Sequence, residues 1–195
     1  MESFDINTNY TNLSDYKPYP YLIPNIEINF YIFESFVKVK TLMNVIPLME
    51  DFNSKLILKG SEIELESIKL NDKKVPESSY EINNEELVIE ICEKGEFSLL
   101  ITSKINPYIN SSLEGLYLSE GMLVTQCEAE GFRRIVFHPD RPDVLSKYKV
   151  AIEADLDKYP ILLSNGNFIS SETFSTRHKV IWVDPFPKPS YLFAL

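Results

Sequence analysis

Residues 26–32 read Ile-Glu-Ile-Asn-Phe-Tyr-Ile, with an apolar side chain at every second position. Successive side chains of an extended chain point to opposite faces, so Ile26, Ile28, Phe30 and Ile32 share one apolar face. This alternation is typical of a half-buried β-strand, with one face in the core and the other in water. The stretch therefore predicts a sheet that covers a hydrophobic core.

The same period of two recurs through the chain. Apolar and polar residues alternate around Ile63, Phe97 and Tyr148. Short apolar runs predict further strands at 56–58, 87–91, 161–163, 180–183 and 190–195. Turn-forming residues separate these runs, and many short strands with such spacing favour an antiparallel sandwich or a strongly bent sheet over alternating strands and helices. The predicted fold class is all-β.

Helix signals are scarce in this sequence. The best candidate is one or two turns between Pro142 and Lys147, where a proline suits the first turn of a helix. The prolines Pro18 and Pro20 predict that residues 1–24 form an extended N-terminal arm. With no internal repeat or linker visible, residues 25–195 are expected to form a single β-sandwich domain with very little helix.

The charge balance excludes some classes of partner. The 195 residues include 19 basic and 29 acidic side chains, for a formal net charge of −10. Such a surface repels phosphate backbones and anionic lipid headgroups, so neither nucleic acid nor a membrane is an expected partner. No targeting leader is visible from Met1 onward, and Cys92 and Cys127 are the only cysteines. A reducing cytoplasm is therefore the expected compartment.

Few side chains here can bind a metal. Besides the two cysteines, the chain has two histidines, His138 and His178, so the zinc-binding pattern H-E-x-x-H cannot be written. The sequence predicts that this chain holds no metal of its own.

One stretch concentrates polar chemistry: residues 125–134 read Thr-Gln-Cys-Glu-Ala-Glu-Gly-Phe-Arg-Arg. If residues 125–130 are extended, Gln126, Glu128 and Glu130 project to one side and Cys127 projects to the other. Carboxylates beside an amide oxygen suit a ligand that is both a cation and a hydrogen-bond donor, such as a primary ammonium. The stretch is a candidate ammonium-binding site.

A second interpretation of this stretch is structural. The nearby arginines can pair with Glu130, Asp140 and Asp143, which would rigidify a long connection and leave Glu128 free. Cys127 fits a small core residue better than a nucleophile, because catalysis would need an orienting base beside it.

Several blocks of the second half resemble the N-terminal domain of the bacterial aminopeptidase N family, zinc metallopeptidases of the gluzincin clan. The blocks stand in the family's order, at residues 113–117, 125–135, 140–144, 159–167 and 184–195. The resemblance implies a saddle-shaped β-sandwich that packs on a thermolysin-like catalytic domain of the same chain. It further implies that the glutamate at Glu128 binds the free α-amino group of a peptide substrate and that Gln126 lines the pocket for the first side chain.

The resemblance also limits what this chain can do. The family's zinc motif, its G-A-M-E-N motif and its transition-state tyrosine are absent here, so no catalytic residue and no metal ligand is assigned. Zinc is expected in the longer enzyme, which removes N-terminal amino acids from peptides, and this chain alone is expected to be inactive.

An alternative class of function stays open at this point: a stand-alone β-sandwich binding module or a catalytically inactive scaffold homologue. A binding module should bind a peptide or glycan as an isolated domain. A domain of a longer enzyme should instead show an exposed apolar face where its catalytic domain packs.

Overall fold

The computed structural model describes residues 12–48, 55–83 and 85–195. Strands account for 54% of the described residues and helix for 7%, which confirms an all-β protein with very little helix. The strands are β1 (Tyr21–Ile32), β2 (Val37–Pro47), β3 (Lys55–Lys59), β4 (Glu64–Leu70), β5 (Lys73–Lys74), β6 (Tyr80–Asn83), β7 (Glu86–Glu90), β8 (Phe97–Ile105), β9 (Gly115–Ser119), β10 (Met122–Gln126), β11 (Ser146–Asp155), β12 (Asn167–Phe174) and β13 (Arg177–Lys188). The helical segments are short 3-10 helices at Leu13–Asp15, Glu77–Ser79, Gly131–Arg134 and Ser190–Leu192.

Eight strands form one large sheet in the order β12-β13-β11-β1-β2-β8-β4-β5, beside a three-stranded sheet β3-β7-β6 and a hairpin β9-β10. As expected, neighbouring strands among the described residues pair antiparallel. The exception is the pair β1 and β11, which runs parallel with Ile26 opposite Tyr148. Parallel neighbours need a long crossover connection, and here strands β2 to β10 lie between the two. The pairing register in the large sheet also shifts at several irregularities, one of them in β1 between Leu22 and Asn25.

The period-two pattern of β1 places its side chains as expected. Ile26, Ile28 and Phe30 are at most 1% exposed and belong to the main core cluster. The inner face of the three-stranded sheet contributes Leu56 and Leu58 to the same cluster. One continuous hydrophobic core therefore joins the two sheets, and burial of this apolar area is the main force that stabilises the sandwich.

Three local expectations are wrong. The segment from Pro142 to Lys147 is a turn that leads into β11, not a helix, because Ser146 already pairs in the sheet and its hydroxyl donates to the Ile23 carbonyl at 2.5 Å. Residues 161–163 form no strand: only the middle one, Leu162, is buried, and its carbonyl accepts the Trp182 indole N–H at 3.1 Å. The end of the chain, 190–195, is a 3-10 helix followed by irregular backbone.

Part of the expected N-terminal arm lies in the sheet, since β1 begins at Tyr21. Residues 1–11 lie outside the described residues. The described part before β1 is held to the turn at 141–143: the Tyr16 hydroxyl donates to Asp143 at 3.0 Å, and Arg141 donates to the Lys17 carbonyl at 2.8 Å. These contacts fix the approach of the chain to its first strand.

His138 connects the three-stranded sheet to the core. Its backbone forms an isolated antiparallel bridge with Lys59. Its ring is fully buried, accepts the Asp140 backbone N–H at Nδ1 over 2.9 Å, and meets the Phe132 ring edge-on at 5.2 Å. Burial lowers the pKa of His138 from 6.5 to about 3, because the charged imidazolium would lose its hydration.

This buried imidazole predicts a pH dependence of stability. Between pH 7 and pH 5 the unfolded chain takes up a proton at His138 and the folded chain does not, so the free energy of unfolding should fall by about 2 kcal/mol from this group. Urea unfolding at both pH values measures the loss. His138→Gln should remove most of it, and an unchanged pH dependence in that variant would contradict the assignment.

Candidate functional site

The candidate site begins where β10 ends. Gln126 is the last residue of the strand and pairs with Gly115 across the hairpin. Residues 128–130 then form a turn, which the Gly131 N–H closes by donating to the Cys127 carbonyl at 2.9 Å. Residues 125–130 are therefore not extended throughout, and Gln126, Glu128 and Glu130 do not form one row on a strand.

Gly131 makes this turn possible. A Cβ atom at this position would lie 2.2 Å from the Gln126 carbonyl oxygen, which is backbone and cannot swing away. The 3-10 helix Gly131–Arg134 begins at this residue. The turn can fold back on β10 only because a residue without a side chain stands here.

The structure brings Gln126 and Glu128 together through the backbone. The Gln126 side-chain amide donates from Nε2 to the Glu128 carbonyl oxygen at 2.9 Å. The peptide bond between Glu128 and Ala129 is cis. Both site residues are exposed, and the Glu128 carboxylate makes no hydrogen bond or ion pair with any residue that the structure describes. The turn thus presents an unpaired anion to solvent, beside an amide oxygen that can still accept a hydrogen bond.

The neighbouring carboxylates are paired, as expected. Arg133 contacts Glu130 at 3.1 Å and Asp140 at 2.9 Å, and Arg141 contacts Asp143 at 2.8 Å. The hydrogen bonds from Arg141 to Asp143 lower the pKa of that carboxyl to about 2. These pairs fix the segments on either side of the turn and leave Glu128 outside the network.

Cys127 is a core residue, as the sequence predicts. Its side chain is 3% exposed, and burial raises the pKa of its thiol to about 12. The thiolate is the reactive form of cysteine, so this thiol is inert at neutral pH.

The described residues do not fit a zinc ion. Across ranges 12–48, 55–83 and 85–195, no group of three or more His, Cys, Asp or Glu side chains is arranged to hold a metal. His138 already accepts a hydrogen bond at Nδ1 inside the core, and His178 Nε2 lies 2.7 Å from the Tyr159 carbonyl oxygen.

None of the helices that the structure describes has the length and apolarity to cross a membrane.

Two polar residues near the site were not found from sequence. The Asn110 amide donates to the Glu114 carbonyl at 2.8 Å and to the Leu116 carbonyl at 2.9 Å, which fixes the entry to β9. The Thr125 hydroxyl accepts the Leu195 backbone N–H at 2.9 Å. Hydrogen bonds between side chains and backbone leave no periodic pattern, so no sequence signal marks these residues.

The chain belongs to the family described as the Peptidase M1 N-terminal domain, whose model matches residues 23–192. It is similar to aminopeptidase N of Caulobacter vibrioides, at 43% identity over 185 residues, and to aminopeptidase N of Haemophilus influenzae, at 44% identity over 184 residues. The matches cover 94% and 93% of this chain but only 21% of each relative. The resemblance to the N-terminal domain of aminopeptidase N is thereby confirmed.

Solved structures agree with this membership. Aminopeptidase A of Legionella pneumophila, determined in complex with aspartic acid, aligns with a TM-score of 0.88 and 36% identity over 94% of this chain and 22% of its own. An M1 zinc metallopeptidase from Deinococcus radiodurans aligns with a TM-score of 0.77 at 11% identity over 90% of this chain and 41% of its own. At that identity the second match shows the shared fold alone.

The close approach at Gly131 predicts a sharp effect of adding one methyl group. Gly131→Ala should destabilise the fold by about 1–3 kcal/mol, because the new Cβ must push the turn away from the Gln126 backbone. Gly95→Ala is the matched control, since no atom lies within 4 Å of a Cβ built at Gly95. Urea unfolding of the two variants measures the difference, and equal stabilities would show that the turn does not need a glycine.

Proposed function

We propose that this chain is the N-terminal domain of a zinc-dependent aminopeptidase that removes N-terminal amino acids from peptides. In this proposal Glu128 binds the α-ammonium group of the substrate and Gln126 lines the pocket for the first side chain. The observation that carries the proposal is the Glu128 carboxylate, which is exposed and unpaired within the described structure while Glu130, Asp140 and Asp143 pair with arginines.

The chemistry of such a site selects for a free amine. An ammonium group donates charge-assisted hydrogen bonds, and a fixed carboxylate accepts them with little reorganisation. The Gln126 Nε2 atom already donates to the Glu128 carbonyl, and the Gln126 side-chain oxygen is left as a second acceptor. A peptide with a blocked N-terminus brings no charge to Glu128 and leaves the acid unpaired, which disfavours its binding.

The zinc ion of this family has no fitting ligands among the described residues. When bound, zinc activates a water molecule and polarises the scissile carbonyl. We propose that its ligands and the catalytic glutamate belong to a catalytic domain of the same longer chain. The length of the relatives supports this, since this chain spans about a fifth of aminopeptidase N from Caulobacter vibrioides, 21%.

An apolar surface beside the site supports a packed partner domain. Ile161, Met122 and Leu163 are 74%, 61% and 59% exposed. With Leu195 they line an open groove of about 520 Å3 next to β10. Exposed large apolar side chains clustered in one groove are typical of an interaction surface. In this proposal the catalytic domain covers them.

The cytoplasm remains the proposed compartment. Cys92 is an exposed free thiol and Cys127 is a buried one. Unpaired thiols are what a reducing compartment maintains, and the acidic net charge of −10 suits a soluble peptide-processing enzyme better than one at an anionic membrane.

Glu128→Gln in the complete enzyme tests the proposed role. The substitution keeps size and hydrogen-bonding capacity but removes the charge, so kcat/KM on an aminoacyl anilide should fall about ten- to hundredfold. Thermal melting should stay unchanged, because the Glu128 carboxylate makes no described internal contact and the substitution leaves the backbone carbonyl that Gln126 contacts in place.

Glu114→Gln is the matched control. Glu114 is also acidic and lies near the site, but it pairs with Arg134 at 3.3 Å, and its loss should change kcat/KM much less. If Glu128→Gln cleaves as well as the parent enzyme, or loses activity only through unfolding, then Glu128 is not the amine anchor and a binding-module or scaffold role becomes the better proposal.

Because the described residues include no group arranged to hold a metal, the isolated 195-residue chain should have a measurable property. Elemental analysis after dialysis should find well under one zinc per chain, and the same preparation should not hydrolyse aminoacyl anilides. A stoichiometric, tightly bound zinc that is lost in His138→Gln or His178→Gln would overturn this expectation.

A further inference from the structure

Thr125 connects the site strand β10 to Leu195. Its hydroxyl oxygen accepts the backbone N–H of Leu195 at 2.9 Å and donates toward the Leu195 carbonyl at 3.3 Å. Thr125 directly precedes Gln126, whose amide in turn holds the Glu128 carbonyl. Leu195 is thus linked to Glu128, the residue proposed to bind the amine. The link runs through the Thr125 hydroxyl, the peptide unit to Gln126 and the Gln126 side-chain amide.

The segment that Thr125 contacts is itself fixed on the domain. Asn165 accepts the Ala194 N–H at 2.6 Å and donates to the Leu192 carbonyl at 3.2 Å. The Phe193 ring is 3% exposed and lies 5.1 Å from the Phe132 ring. The segment is therefore a rigid reference against which β10 can be positioned, and Thr125 is the side chain of β10 that bonds to it.

We propose that Thr125 is a positioning residue: its hydroxyl holds the end of β10, and with it Gln126 and Glu128, at a fixed place relative to the polypeptide at Leu195. This inference rests on the proposed function, in which the catalytic domain belongs to the same chain. A charge-assisted hydrogen bond depends on distance and angle, so an anchor displaced by the loss of the Thr125 contact should bind the substrate's ammonium group less well.

Thr125→Val in the complete enzyme removes the hydroxyl and keeps the β-branched shape that suits a strand. The KM for an aminoacyl anilide should rise about two- to tenfold, the size expected for the loss of one or two hydrogen bonds. The kcat should change less than KM, because the anchor binds the ground state and the transition state alike. Thr125→Ser, which keeps the hydroxyl, should restore KM.

Two further comparisons separate positioning from general destabilisation. Ser164→Ala removes a 2.8 Å hydrogen bond to the Ala194 carbonyl of the same segment. Because Ser164 does not lie on the site strand, the KM of this variant should stay near the parent value. In a Glu128→Gln background, Thr125→Val should raise KM much less than in the parent, because the group that it positions has lost its charge. Thermal melting of each variant gives the folded fraction, and Thr125→Ala replaces Thr125→Val if the latter does not fold.

Each possible result of these measurements supports or contradicts the positioning role of Thr125. An unchanged KM in Thr125→Val, an equal loss in Thr125→Ser, or a full additional loss in the Glu128→Gln background would overturn the positioning role while Glu128 keeps its own effect. A Glu128→Gln enzyme with parental kinetics would instead overturn the proposed function, and the role of Thr125 with it.

Discussion

The buried carboxylate of Asp140 is the interaction on which the candidate site depends. Its side chain is fully buried, and it accepts hydrogen bonds from the Arg133 backbone and guanidinium and from the Ser190 hydroxyl at 2.7 Å. A buried charge that loses its partners is strongly destabilising, so these segments cannot separate one at a time. The 3-10 helix after the site turn, the loop at Asp140 and the segment at Ser190 therefore hold one fixed arrangement.

The acidic residues around the site turn fall into two groups, those paired with arginine and those that are not. Glu114, Glu130, Asp140 and Asp143 each contact an arginine. Glu128 contacts no cation in the described structure, although it stands in the same stretch. A turn made rigid by its neighbours can present one charged group without the entropy cost of ordering it when a ligand binds.

Much of the fold could be predicted from sequence, because a period of two reports directly which face of a strand is buried; Ile28 and Phe30 are examples. The pattern fails where apolar residues cover the core from a loop, as at Leu162, or from a 3-10 segment, as at the chain's last residues. The side chains of residues 125–134 predict only a candidate ammonium site, and the roles proposed for Gln126 and Glu128 rest on the family resemblance. The contact of Thr125 with Leu195 joins segments 70 residues apart in sequence. The site turn depends on how closely the backbone approaches Gly131, which the period of apolar residues does not encode.

The most direct measurement of the central claim is a crystal structure of the complete enzyme with a free amino acid bound in its active site. The amine-anchor role predicts that the ligand's ammonium nitrogen lies about 2.7–3.2 Å from a carboxylate oxygen of Glu128, with the Gln126 oxygen as a neighbouring acceptor. An ammonium group bound by other carboxylates, with Glu128 facing solvent, would contradict it.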